Sequence, residues 1–241
     1  MPLIIRPSNP NNNQRQHCRW HGYPTAALLE QAAVQTILEA AELAISKRKE
    51  FHLVLAGGTT PRHVYELLRN QITDWRKWHI YFGDERCLPV NDAERNSMMA
   101  AQALLNHVAI PVGQIHIIPA EQGAEAAAAA YSLIMDTVEK FDLVLLGLGE
   151  DGHTASLFPE HDWGTSPGSS SALVVNNAPK PPSERVSLSA QRLSQCRKLM
   201  FLVTGINKRK AIQDWRNGID IPAAAIKPEN GVDILMEETL L

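Results

Sequence analysis

Three times in its amino-terminal two thirds the chain runs an apolar stretch into a glycine-bearing turn. His52-Leu53-Val54-Leu55-Ala56 ends at Gly57-Gly58-Thr59-Thr60-Pro61, His79-Ile80-Tyr81-Phe82 at Gly83-Asp84-Glu85-Arg86, and Leu143-Val144-Leu145-Leu146 at a turn running from Gly147 to His153. Short unbroken apolar runs are the mark of strands covered on both faces, which is the condition of strands in a parallel sheet. Between them the spacing turns helical: Leu28, Leu29, Ala32, Ala33, Ile37, Ala40 and Ala41 predict a helix over 26–45, Val64, Tyr65, Leu67 and Leu68 a second, and further helices are expected over 93–107 and in the alanine-rich stretch 123–140. Ile115–Ile118, Leu173–Val175, Arg185–Leu188 and Leu199–Val203 read as shorter strands, with a helix from Lys208 to Trp215. This alternation predicts an α/β fold with a mostly parallel, Rossmann-like sheet and helices on both faces. Residues 1–241 read as a single domain whose polar start, residues 1–20, is expected to be a mobile leader.

Composition limits the function classes. At 241 residues with 44% hydrophobic and 20% charged side chains, the chain can bury a large core, and a net charge of −3 supplies no basic field for nucleic acid. Cys18, Cys87 and Cys196 are widely separated and contain no C-x-x-C pair, which points away from a disulfide framework and toward a reducing, cytoplasmic setting. No window approaches the roughly 18 consecutive apolar residues of a membrane span.

Ligands of open α/β sheets gather at the carboxyl ends of the strands, where the three turns fall. In the first, Gly57 and Gly58 admit backbone angles closed to other residues, Thr59 or Thr60 is placed to cap the following helix, and Pro61 suits its first turn. Such a helix start attracts a phosphate monoester, and the absence of Gly-Lys-Ser/Thr separates it from a Walker loop. In the second, Arg86 suits either a phosphate or a developing oxyanion, while Asp84 and Glu85 lack the companions a metal site would need.

The third turn spells G-x-G-x-x-G through Gly147, Gly149 and Gly152. A dinucleotide turn would be followed by an acid about 20 residues later and would not place Glu150 and Asp151 where a pyrophosphate must sit. The glycines instead deliver His153 to the strand ends, where a neutral imidazole near pH 7 serves as a general base. A helix-capping role for His153 is the structural alternative.

Together and in this order, LAGGTTP, FGDERCLP and GLGEDGHTASLFP resemble the 6-phosphogluconolactonase family, and the likeness spans most of the chain after the leader. Pro182-Ser183-Glu184-Arg185-Val186-Ser187-Leu188-Ser189 is similar to that family's arginine-bearing strand, and Val203-Thr204-Gly205-Ile206-Asn207-Lys208 to its glycine-to-lysine turn. The related glucosamine-6-phosphate deaminases share the fold, but usually carry D-E-Y and D-G-H-I-A-F-N-E-P where this chain has Arg86 and Thr154-Ala155-Ser156-Leu157-Phe158-Pro159. Two places depart from the lactonases: Glu94-Arg95-Asn96 stands where Glu-Ser-Asn is common, and the tail from Asp233 to Glu238 lacks the family's tryptophan and aspartate.

The resemblance implies hydrolysis of 6-phospho-D-glucono-1,5-lactone to 6-phospho-D-gluconate, the second step of the pentose phosphate pathway, by water attack without a covalent intermediate. His153 would be the base and Arg86 the partner of the oxyanion, with the phosphate as the alternative role for Arg86. Gly57, Gly58, Thr59, Thr60, Arg185 and Lys208 would hold the phosphate, and Asp84, Asp151 and Gly152 would support. The expected partner is a small sugar phosphate lactone, with no cofactor, metal, nucleic acid or membrane and no oligomeric state set by the sequence. Residues 160–171 read as a loop, with covering the substrate and an ordinary surface loop as the two readings left open. The alternatives are a deaminase and a sugar-phosphate-binding module without turnover.

Overall fold

The computed structural model describes residues 3–5 and 16–240. The main sheet has seven strands: β1 (Leu3–Ile5), β2 (Cys18–Tyr23), β3 (Phe51–Leu55), β4 (Trp78–Phe82), β6 (Phe141–Gly147), β9 (Cys196–Val203) and β10 (Val232–Glu237). Their order across the sheet is β1-β2-β10-β9-β6-β3-β4, parallel throughout except for the antiparallel β1–β2 edge. Helices α1 (Ala26–Arg48), α2 (Thr59–Leu68), α3 (Asn96–Ala103), α4 (Ala124–Met135), α5 (Ala190–Ser194), α6 (Arg209–Arg216) and α7 (Pro222–Ala225) fall between strands. Consecutive residues Phe141 to Leu146 of β6 are all buried, as a strand covered on both faces requires. Asp142, the polar exception, accepts hydrogen bonds from Arg48 Nε at 3.0 Å and the His52 amide at 2.9 Å.

α1 begins where the Thr25 hydroxyl accepts the Leu28 amide and ends at Lys49, whose φ of 73° breaks the helix in the left-handed region. The expected α/β class and parallel sheet hold. The leader drawn over 1–20 is partly strand: Cys18–Trp20 pair with Val232–Ile234, while residues 6–15 lie outside the described ones.

Other elements move relative to expectation. Ile115–Ile118 makes a single bridge, Ile80 to Ile115, and no strand. Two of the expected late strands leave the main sheet: β7 (Ala172–Val175) and β8 (Arg185–Leu188) join β5 (Asp84–Arg86) in a small antiparallel sheet, order β5-β8-β7. The D-E-R segment is therefore not a loop; Asp84, Glu85 and Arg86 pair with Ser187, Val186 and Arg185. Apolar runs announce strands, but which strands they pair with depends on distant chain.

Chain order reverses between β3 and β6. β3 leads outward to β4, then the chain returns to place β6 on β3's other side and continues to β9 and β10. The segments leaving β3, β4, β6 and β9 emerge at this carboxyl edge, and a crevice opens where neighbouring connections diverge.

Candidate active site

A cleft of about 400 Å³ occupies that reversal, between Ala56-Gly57-Gly58 after β3 and the Leu146–Gly149 segment that ends and leaves β6. Arg86, His153, Arg185, Lys208 and Asp84 also line it, so the structure brings together side chains spread from 84 to 208. Thr59, Thr60, Asp151 and Gly152 are not part of its lining.

His153 owes its place to two glycines. A Cβ on Gly149 would come within 2.0 Å of the imidazole Nδ1, so only a bare Cα leaves room for the ring. Gly152 has φ of 84°, and a Cβ there would meet Ile221 at 2.8 Å. No helix follows His153, which removes the helix-capping reading and leaves no helix start to receive a pyrophosphate.

Asp151 accepts from His153 at 2.5 Å through Nδ1 and from its backbone amide at 3.2 Å. The Nδ1 proton is thereby held toward the carboxylate, leaving Nε2 as the basic nitrogen. Burial pushes the imidazole below its ordinary pKa, with Asp151 pulling the other way and the ammonium of Lys180 adding to the depression. The Asp151 carboxyl meets a desolvation penalty, but the charge and hydrogen bonds of His153 hold it below its usual range. Near neutrality the pair is a neutral ring against an ionised carboxylate. Phe158 packs its ring 4.7 Å from that of His153, and the Arg185 guanidinium lies 5.5 Å over its face.

The first turn differs from expectation in its cap. Helix α2 starts at Thr59 itself, the cap position is Gly58 with φ of 107°, and neither threonine hydroxyl caps it. The Thr60 hydroxyl instead meets the Thr204 hydroxyl at 2.7 Å, tying α2 to the end of β9. Gly57 allows close contact in another direction, since a Cβ would fall 2.1 Å from Asn96 Oδ1. The positive end of α2 still opens on the cleft through Gly57 and Gly58.

Arg86 directs Nη1 to the Glu94 carbonyl at 2.6 Å, and its buried Nε makes no hydrogen bond among the described residues. Arg185 is buried and gives Nε to the Pro182 carbonyl at 3.1 Å and Nη2 to those of Lys180 and Pro181 at 2.8 and 3.2 Å. It thus ties down the 180–182 loop from which Lys180 reaches the cleft. Burial lowers the Lys208 ammonium, opposed by Glu150.

Sequence reasoning missed Lys180, Asn96, Ser156 and Glu237. Ser156 donates to Asp84 Oδ2 at 2.5 Å and Asn96 Nδ2 donates to Asp84 Oδ1 at 3.0 Å, while burial raises the Asp84 carboxyl. Glu237 accepts the Gly205 amide at 2.7 Å, fixing the turn that carries Lys208. Lys180 stands in the Pro179-Lys180-Pro181-Pro182 run that reads as a plain surface loop, so only its neighbour Arg185 signalled it. No cluster of three or more His, Cys, Asp or Glu arranged to hold a metal is found among the described residues.

A family model described as glucosamine-6-phosphate isomerases/6-phosphogluconolactonase matches residues 24–235. The chain is 34% identical over 219 residues to a protein named 6-phosphogluconolactonase from Mycobacterium tuberculosis, covering 84% of this chain and 88% of that one. A protein of the same name from Synechocystis is 34% identical over 208 residues, covering 81% and 85%. Among solved structures, a 6-phosphogluconolactonase from Thermotoga maritima superposes with a TM-score of 0.85 at 25% identity, covering 92% of this chain and all (100%) of that one. A monomeric glucosamine-6-phosphate deaminase shares the fold at a TM-score of 0.75 and 20% identity, covering 92% and 98%.

Proposed function

The chain belongs to the glucosamine-6-phosphate isomerase/6-phosphogluconolactonase family, and on that premise we infer that it hydrolyses 6-phospho-D-glucono-1,5-lactone to 6-phospho-D-gluconate, as a carboxylic ester hydrolase of sugar-phosphate metabolism. The observation that carries this reading is the meeting of His153, braced by Asp151, with Arg86, Lys180, Arg185 and Lys208 in one cleft.

A lactone is an activated ester, so water attacks C1 directly. His153 Nε2 takes a proton from that water as its oxygen bonds to C1, and the carbonyl becomes a tetrahedral oxyanion facing Arg86. The intermediate collapses by breaking the bond from C1 to the ring oxygen. The imidazolium returns its proton to that oxygen, which leaves as the C5 hydroxyl, and the new carboxylic acid ionises into solvent. Ionised Asp151 stabilises the transient imidazolium and keeps the ring in one orientation.

The phosphate lies against the amides at Gly57 and Gly58, with Lys208 and Lys180 supplying charge. Arg185 faces the cleft but commits Nε and Nη2 to the 180–182 loop, so in this proposal it holds Lys180 in place as well as adding positive potential. Thr59 and Thr60 act through α2 and its tie to Thr204. Asp84 anchors Asn96 and Ser156 at the wall, and Gly152 shapes the histidine turn. A cytoplasmic site of action belongs to the same proposal, supported by the three free cysteines at 18, 87 and 196.

The test is acid release from freshly generated lactone, corrected for spontaneous ring opening. His153→Gln is expected to lose about 10²- to 10⁴-fold in kcat. An unchanged rate in that variant would remove the base from the mechanism, and ammonia released from glucosamine 6-phosphate would move the chain to the deaminases.

A further inference from the structure

Arg95, between Glu94 and Asn96 at the start of α3, is 1% exposed. Its guanidinium is spread over three parts of the chain. Nη1 donates to Glu121 Oε2 at 2.9 Å and to the Leu88 carbonyl at 3.3 Å, Nη2 donates to the Ile118 carbonyl at 2.9 Å, and Nε lies 3.4 Å from Glu85 Oε2. Glu85 is fully buried and accepts the amides of Arg86 and Asn96 through Oε1 and of Ser97 through Oε2, at 2.8 to 2.9 Å, capping α3 from the neighbouring strand.

The loop from Arg86 to Arg95 is thus closed at both ends. Arg86 at its start bonds through Nη1 to the Glu94 carbonyl at its end, and Arg95, the next residue, fastens that end to Leu88, Ile118 and Glu121. We propose that Arg95 is a positioning residue for Arg86: it fixes the Glu94 carbonyl, which aims the Arg86 guanidinium into the cleft. This rests on the reading of Arg86 as partner of the oxyanion.

A planar fork spreads its donors over acceptors on different sides, where an ammonium carries all of its donors on one nitrogen, so Arg95→Lys keeps the charge and loses the geometry. Misplacing a catalytic group by about 1 Å costs up to roughly 10²-fold, and Arg95→Lys is expected to lower kcat about tenfold with KM unchanged. The experiment is a double-mutant cycle with Arg86→Ala, run at enzyme concentrations that keep turnover above spontaneous ring opening, with Arg95→Ser as a second arm and circular dichroism to establish folding of each variant. Because Arg95 acts through Arg86, its substitution should cost nothing further in the Arg86→Ala background. An equal fold-loss in both backgrounds, or unchanged kcat in both Arg95 variants, would overturn the positioning role while leaving Arg86 intact as a catalytic residue. A normal kcat in Arg86→Ala alone would instead defeat the reading of Arg86, and this proposal with it.

Discussion

His153 and Asp151 stand two residues apart on one turn, yet their side chains meet at 2.5 Å because Gly149 has no Cβ to obstruct the ring and Gly152 takes a left-handed turn. A local pair of this kind is tuned by its surroundings. Burial depresses the imidazole while the carboxylate raises it.

Asp151→Asn should therefore lower kcat by about 10²-fold with little change in KM, since the amide neither stabilises an imidazolium nor enforces the Nδ1 proton. Loss of the carboxylate removes the influence that raises the imidazole, so the acid limb of kcat/KM should shift to lower pH. A shift to higher pH, measured across a buffered series, would contradict the assignment.

Gly149→Ala places a methyl group on the imidazole itself. The ring must leave, and kcat should fall by at least about tenfold while substrate affinity persists. Gly57→Ala meets the Asn96 side chain instead, so its effect is expected on the cleft wall and on KM. Steady-state kinetics of the two variants separate the outcomes.

Lys180→Ala and Lys208→Ala should each raise KM for the phosphorylated lactone about 10- to 100-fold, the worth of a charged hydrogen bond. Lys208→Ala should leave hydrolysis of unphosphorylated glucono-1,5-lactone unchanged, and Lys180→Ala should alter it only through the imidazole's acid limb, which moves to higher pH. Parallel assays on the two substrates decide it; equal losses on both would detach these lysines from the phosphate.

Far from the cleft, His52, His79, His116 and Tyr81 stack across β3, β4 and the adjoining segment, with ring centroids 4.5 to 5.9 Å apart. Burial, together with His52, holds His79 and His116 below the ordinary imidazole range, and Glu50 partly offsets this at His79. An unfolded chain binds these protons near pH 6.5, above the folded values, so the associated stability is present at neutral pH and is lost as pH falls below about 6.5. Tm should drop between pH 7 and 5. His116→Phe, which keeps the stack and removes a buried Nε2 without a hydrogen bond, should flatten that slope.

Much of the site was legible because its signals are local. The apolar runs of β3, β4 and β6 end at Gly57, Gly83 and Gly147, and parallel register brings those ends to one edge. Arg86 and His153 follow directly from that placement. What escaped notice depends on tertiary pairing. The D-E-R segment became strand only because β8 runs antiparallel beside it, and Glu85 caps a helix that begins eleven residues later in sequence. β10 was missed because its burial comes from lying between β2 and β9, not from a pattern distinguishable from an ordinary tail.

That central berth of β10 sets the timetable of assembly. Among the described residues β2 has β1 and β10 as its neighbours, so β2 joins the rest of the sheet only through β10, far along the sequence. A ribosome-bound chain halted before Val232 would hold the cleft's side chains, through Lys208, but leave the β9 edge bare and β2 unmoored. Closure of the sheet thereby waits on Val232–Glu237, and deleting that strand would unseat β2 along with it.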